Sequence, residues 1–183
     1  MNSNNIYLDY AAATPVDKRV LAAMLPYFSE KFYNPSAAYL PAKHLRGEYE
    51  TQKGLLANAI GAKAPDLIIT GGATESINLA FTVLKQNTGH CLVSSIEHAA
   101  VRESARSYSA GNFDEVKVSS TGLVDLVDLQ QKIKEDTILI SIALVNNELG
   151  TIQPLSEISR LLQEVRESRL KEGNFTPLYL HSD

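Results

Sequence analysis

The run from Thr137 to Val145 (Thr-Ile-Leu-Ile-Ser-Ile-Ala-Leu-Val) limits what this chain can fold into more than any other segment. It carries no charge, and after Thr137 only Ser141 interrupts its β-branched and aliphatic side chains, so that it is nearly all apolar. A strand wetted on one face alternates; an unbroken apolar run marks a strand buried on both faces, as at the centre of a parallel sheet. Parallel strands cannot be joined by tight hairpins, so helices must cross over between them. The flanking sequence supplies those helices. Ile77, Ala80, Phe81 and Leu84 keep helical step from Glu75 to Lys85, and a second helix runs from His98 to Ser109, closed by Gly111. Asp125-x-x-Asp128 reads as a capping box opening a helix through Leu126, Leu129 and Ile133. Pro154 sits in the first turn of a helix through Ile158, Leu161, Leu162 and Val165 to about Lys171. Leu67–Ile69, Cys91–Val93, Val116–Val118 and Leu178–Leu180 are the remaining short strands. The alternation predicts an α/β fold: a mostly parallel sheet with crossover helices.

Before the alternation the chain is helical. From Asp17, the positions Val20, Ala23, Met24, Tyr27 and Phe28 mark one amphipathic helix. A second spans about Lys43 to Ile60, with Leu45, Tyr49, Leu56 and Ile60 on one face and Gly61 at its C′ position. Residues 1–60 are therefore read as an N-terminal helical arm or part of a second lobe, and 61–183 as the domain holding the sheet. Charge and composition narrow the partners. With 17 basic against 21 acidic side chains and a net charge of -4, the chain has no excess of cations for nucleic acid or an anionic membrane. No apolar run approaches ~18 residues, so no membrane span is expected. Met1–Asn5 shows no signal-peptide pattern. The single cysteine, Cys91, cannot form an internal disulfide; it points to a reducing, cytoplasmic setting and reads as a small core residue.

Polar residues collect where strands end. Thr70-Gly71-Gly72-Ala73-Thr74-Glu75 turns a strand into a helix, leaving free amides and a hydroxyl at a helix N-terminus. It reads either as a phosphate cradle or as a tight turn with Thr74 as the N-cap. His98, after Ser95-Ile96-Glu97, lies where open α/β sheets bind ligands, although Ser94 and Glu97 also fit a plain capping box. Asn146-Asn147-Glu148-Leu149-Gly150 reads as an Asx turn or as amides aimed into a site. His181-Ser182-Asp183 closes the last strand in the same way. Thr74, His98, Asn147 and Asp183 at one sheet edge say more than any one of them. His44 and His90 are expected at the surface, and no metal-binding or nucleophile-elbow motif is present.

Six segments together resemble the cysteine desulfurases, pyridoxal-phosphate enzymes of the class V aminotransferase group. They are Tyr7–Pro15, Asn34-Pro35-Ser36, Gly72–Leu79, Ile96-Glu97-His98, Val145–Pro154 and His181-Ser182-Asp183. Their order and spacing cover essentially the whole chain and resemble the nitrogen-fixation and housekeeping group. The resemblance implies the large domain of PLP fold type I, incomplete at the C-terminus, so that 61–183 is part of the PLP-binding domain. It implies that Ala73 and Thr74 bind the cofactor phosphate. His98 then stacks on the ring and moves protons as the catalytic residue, Asn147 bonds near the phenolic oxygen or substrate carboxylate, and Asp183 pairs with the pyridinium nitrogen. The implied reaction takes sulfur from L-cysteine, leaves alanine and passes a persulfide to an acceptor or scaffold protein for iron–sulfur or thio-cofactor synthesis, in a homodimer. The sequence departs from the family at Ala37-Ala38-Tyr39 and Ala42. The family's cofactor-bearing lysine, a glutamine, the persulfide cysteine and a small domain lie beyond the position of Asp183, and neither Lys171 nor Cys91 matches them. The 183-residue chain alone is therefore expected to be inactive. A non-catalytic interaction module, or a related class V aminotransferase or selenocysteine lyase, are the other readings.

Overall fold

The computed structural model describes residues 6–87 and 89–183; the Met1–Asn5 stretch lies outside them. Two compact units meet in sequence at Ile69 and Thr70.

The first unit is helical. Helix α1 (Lys18–Met24) is capped by the Asp17 carboxylate, which accepts the Arg19 amide at 2.7 Å. The expected single helix through Phe28 is broken: α2 (Pro26–Ser29) starts anew, because Pro26 has no amide to donate and its ring crowds the preceding turn. Helix α3 (Leu40–Ala59) starts earlier than its apolar stripe suggested, with Pro41 tolerated in the first turn. It ends in a Schellman motif: the Gly61 amide donates to the Asn58 carbonyl and the Ala62 amide to that of Ala57, with Gly61 at φ 70°. Glu48 on α3 accepts from Lys31 (2.8 Å) and from Tyr27 (2.9 Å). After a short 3₁₀ turn (Ala64–Asp66), Leu67–Ile69 is not a strand. Among the described residues no strand pairs with it, and Ile68 and Ile69 stand exposed. The apolar pattern was right for an extended segment, but a strand exists only where a ladder partner is present.

Among its described residues this unit buries only Ala42 and Ala57 as apolar side chains, while Val20, Leu25, Phe28, Leu55 and Leu56 are exposed. So much uncovered apolar surface drives association. Light scattering on the chain is expected to give a mass of at least a dimer that rises with concentration. A concentration-independent monomer would overturn this.

The second unit is the α/β domain. In chain order it runs α4 (Ala73–Asn87), β1 (His90–Ser94), α5 (Ala99–Tyr108), β2 (Phe113–Val116), α6 (Leu126–Lys132), β3 (Thr137–Ser141), α7 (Leu155–Lys171) and β4 (Tyr179–His181). The sheet is parallel throughout, in the order β2-β1-β3-β4. Every residue of β1 and of β3 is buried. Successive side chains point to opposite faces. Cys91, Val93 and Leu139 meet Ile77, Phe81, Val101 and Ala105 of α4 and α5. Leu92 and Ile140 meet Leu129, Ile158 and Leu162 of α6 and α7. The result is a three-layer sandwich.

Two boundaries and one cap differ from the expectation. β2 shares only Val116 with the predicted Val116–Val118; Val118 instead makes an isolated antiparallel bridge to Val124. β3 stops at Ser141, and Leu144 and Val145 are exposed, Val145 bridging antiparallel to Ile152. The apolar run outlasts the sheet because β1 has already ended beside it. Asp125 does cap α6, accepting the amides of Val127 and Asp128, but Asp128 does not reciprocate; its carboxylate accepts from Lys117 N–H at 2.9 Å.

His90, expected at the surface, is fully buried. Its Nδ1 lies 2.9 Å from Thr137 Oγ1, and its Nε2 lies 3.2 Å from Asp114 Oδ2. Thr137 Oγ1 accepts the Lys134 amide at 2.7 Å, which leaves its proton for Nδ1 and places the ring proton on Nε2, facing the carboxylate. Position at a strand entry signals exposure only when no neighbouring strand covers it; here β2 and β3 flank the residue on both sides.

Candidate active site

β1 lies between β2 and β3, so the connections leaving its neighbourhood diverge to opposite sides. Such a reversal leaves a crevice at the carboxyl ends of the two central strands, the usual ligand site of an open α/β sheet. Two cavities open there. One of about 200 Å³ is lined by His98, Asn147 and Asp183 together with Ile96, Ala143, Val145 and Asn146. The other, of about 450 Å³, adds Glu97, Glu148 and Leu149.

His98 is exposed and serves as the N-cap of α5, its Nδ1 accepting the Ala100 amide at 3.1 Å. That bond fixes the ring orientation and, in the neutral ring, puts the proton on Nε2. The expected Ser94/Glu97 capping box is absent. Ser94 Oγ accepts from Ile96 N–H, and the Glu97 carboxylate crosses to the end of β3, accepting from the Ala143 amide at 2.7 Å. A histidine beside a strand end already fills the cap, so the glutamate is released for a tertiary contact.

In the Asn146–Gly150 loop the two asparagines differ: the first makes the Asx turn and the second lines the cavity. Asn146 is buried; its Oδ1 accepts the amides of Glu148 (3.0 Å) and Leu149 (2.8 Å), an Asx turn, and its Nδ2 donates to the Ile96 carbonyl at 2.9 Å. Asn147 is left exposed on the cavity wall. Asp183 is exposed, and its carbonyl accepts the Leu144 amide at 3.3 Å, which carries the β3–β4 pairing past the strands proper. His181 shares a hydrogen bond with Ser141 Oγ (2.8 Å) and meets Phe81 edge-on; burial holds its pKa below the usual histidine value.

Ala73 and Thr74 occupy the first turn of α4, so Thr74 lies inside the helix and is not its N-cap. Ser76 N–H donates to the Gly72 carbonyl, which puts Gly72 at the cap. Gly72 is at φ 156°, a conformation that side chains disfavour. Glu75 reaches back to accept the Gly71 amide. The amides of Ala73 and Thr74 have no intrahelical acceptor by virtue of position, and among the described residues none engages the Thr74 hydroxyl. α4 ends at Asn87, just before β1 begins at His90, so its start lies toward the edge where the strands finish.

The structure thus gathers His98, Asn147 and Asp183 at one cavity. It places Ala73 and Thr74 at the start of α4, outside the residues that line that cavity. Glu97 is the side chain that sequence reading missed. An acid after a strand end is indistinguishable from a helix cap until the neighbouring strand is placed.

Together these features define an α/β protein with a polar ligand crevice at the β1/β3 switch point. The chain belongs to the class V aminotransferase family, whose pattern it matches over residues 6–169. It is 43% identical over 162 residues to a cysteine desulfurase, IscS 1, of Archaeoglobus fulgidus, a match covering 85% of this chain and 42% of that protein. It is 41% identical over 165 residues to the cysteine desulfurase IscS of Dictyoglomus turgidum, covering 87% and 42%. Among solved structures, a NifS-like protein superposes with a TM-score of 0.85 at 31% identity, covering 97% of this chain and 48% of the other. SspA in complex with cysteine superposes at 0.83 and 34% identity, covering 97% and 50%. The chain spans about two fifths to one half of the length of the proteins it matches.

Proposed function

We propose that this chain is the cofactor-binding half of a cysteine desulfurase: it seats pyridoxal phosphate in the crevice, and the whole protein takes sulfur from L-cysteine and leaves alanine. The observation that carries the reading is the convergence of His98, Asn147 and Asp183 on one cavity at the β1/β3 switch point, in a chain whose relatives are desulfurases. The donor set fits the group. The Ala73 and Thr74 amides and the Thr74 hydroxyl suit a phosphate at the positive end of α4. The Asp183 carboxylate accepts from a protonated ring nitrogen and so favours the charged ring. Asn147 donates to a phenolate or carboxylate oxygen. His98, oriented through Nδ1, lies against the ring and holds or delivers a proton at Nε2. When bound, pyridoxal phosphate supplies an electron sink for bonds at the substrate's Cα. The exposed apolar faces of the helical unit suit a homodimer, and an acceptor protein takes the sulfur onward. The lone buried thiol suits a reducing compartment such as the cytoplasm.

The test is equilibrium titration of the chain with pyridoxal phosphate, followed by the cofactor's absorbance. Saturable binding is expected, weakened about tenfold by Thr74→Ala and by Asp183→Asn, as for loss of a hydrogen bond to a charged group. No lysine lines the crevice among the described residues, so the 183-residue chain by itself is expected to release no alanine from cysteine. Absence of saturable binding in the unaltered chain would overturn the reading.

A further inference from the structure

We propose that Glu97 is a positioning residue of this site: it completes the sheet where β1 stops and fixes the turn that presents His98 against the end of β3. The proposal rests on the cofactor-site reading above for its consequence and on the backbone geometry for its cause. Beyond Ser141 the β3 chain still pairs on one side, where the Ile142 amide donates to the His181 carbonyl (3.0 Å) and the Leu144 amide to the Asp183 carbonyl (3.3 Å). The intervening Ala143 amide points the other way, by the alternation of a strand. A continued β1 would have met it there. β1 has left, its Ser95 amide donating to Val116 on the far side, so the Ala143 amide faces a gap. Glu97 Oε1 fills the gap at 2.7 Å. One step further along, Asn146 Nδ2 reaches the Ile96 carbonyl at 2.9 Å. These two side-chain rungs extend the β1/β3 ladder across the crevice floor. His98 directly follows one and Asn147 directly follows the other, so each rung fixes the backbone of a cavity-lining neighbour.

The rung needs an acceptor rather than a charge. Glu97 is only 7% exposed, and its Oε2 is buried with no hydrogen-bond partner. Among the described residues no cation is paired with it. Burial, with Asp183 nearby, pushes the carboxyl up to about 7. A neutral amide of the same length can make the same bond.

The experiment compares Glu97→Gln, Glu97→Ala and Glu97→Asp in the 183-residue chain by two measurements: hydrogen exchange at the Ala143 amide, and affinity for pyridoxal phosphate. Glu97→Ala is expected to speed exchange at Ala143 and to weaken binding, each about tenfold or more. Glu97→Gln is expected to match the parent on both. Glu97→Asp keeps the charge but draws the oxygen back by a methylene, and is expected to behave like alanine. If the alanine variant does not fold, the glutamine and aspartate variants decide. Glu97→Asp behaving like the parent, or Glu97→Gln failing in both measurements, would make charge the essential property and overturn the proposal. Unchanged exchange at Ala143 in a folded alanine variant overturns it too. If the parent chain binds no pyridoxal phosphate, the cofactor reading fails, while exchange at Ala143 still decides the role of Glu97.

Discussion

Maleimide labels Cys91 at least a thousandfold more slowly in the folded chain than in the chain unfolded by urea at the same pH. That is the expected result, and its size follows from the thiolate. Cys91 is fully buried in β1, its neighbours on one face being the apolar side chains of α4 and α5. Burial alone pushes its thiol from 9.0 to about 12. The thiolate, not the thiol, is the nucleophile, so at neutral pH three units correspond to roughly a thousandfold less reactive species, before any steric barrier is counted. Among the described residues no charged group acts on it to reverse the shift. Labelling then reports only transient opening of the sheet. Comparable rates in the folded and unfolded chain would sink this account. The result bears on function as well: a thiol in this setting cannot receive sulfur from a substrate in the crevice, so the sulfur-carrying step of the proposed reaction does not use Cys91.

Acid is expected to destabilise the fold through its buried imidazoles, His90 first among them. His90 is neutral in the structure, its pKa held below 6.5 by burial and then by the neighbouring Lys134 charge. Below 6.5 the unfolded chain takes up a proton that the native state refuses. Stability from this group is therefore complete above about pH 6.5 and is lost as the pH falls toward the lower folded value. The slope is at most that of one proton, about 1.4 kcal/mol per pH unit. His181, also lowered by burial, adds to it. Glu97 acts in the opposite sense: its folded pKa is raised, so its contribution is present below 4.5 and is lost as the pH rises through about 7. His90→Gln isolates the imidazole, because the amide can accept from Thr137 and donate to Asp114 without titrating. Urea unfolding at pH 7, 6 and 5 is expected to give a flatter dependence for the variant. The same slope in both proteins would assign the acid sensitivity elsewhere.

How far the sequence could be read depended on the range of the interaction involved. The helices of the sandwich were legible because their apolar stripes are local and periodic; Ile77, Phe81 and Leu84 mark one face of α4 whatever surrounds it. The Gly61 stop of α3 was legible for the same reason. Strand ends were not. Val116–Val118 and the tail of Thr137–Val145 carry strand propensity, but the sheet includes only the part that has a partner beside it. Leu67–Ile69 shows the limit of that rule, being apolar with no strand among the described residues to pair with. His98, Asn147 and Asp183 meet at one cavity because each lies in the segment that follows a strand, and a parallel sheet puts all such segments at one edge.

By itself, then, the sequence determined the α/β class, the order of elements within the α/β unit and which polar residues lie at the carboxyl edge of its sheet, because periodicity and chain direction fix these locally. The tertiary structure alone decided three things. It buried His90 between two strands. It divided the asparagine pair into a structural Asn146 and a cavity-facing Asn147. It turned Glu97 from a helix cap into a rung between two strands. Each of these depends on hydrogen-bond partners tens of residues away in the chain, Ala143 from Glu97 and Ile96 from Asn146 among them, and no local pattern encodes such a partner.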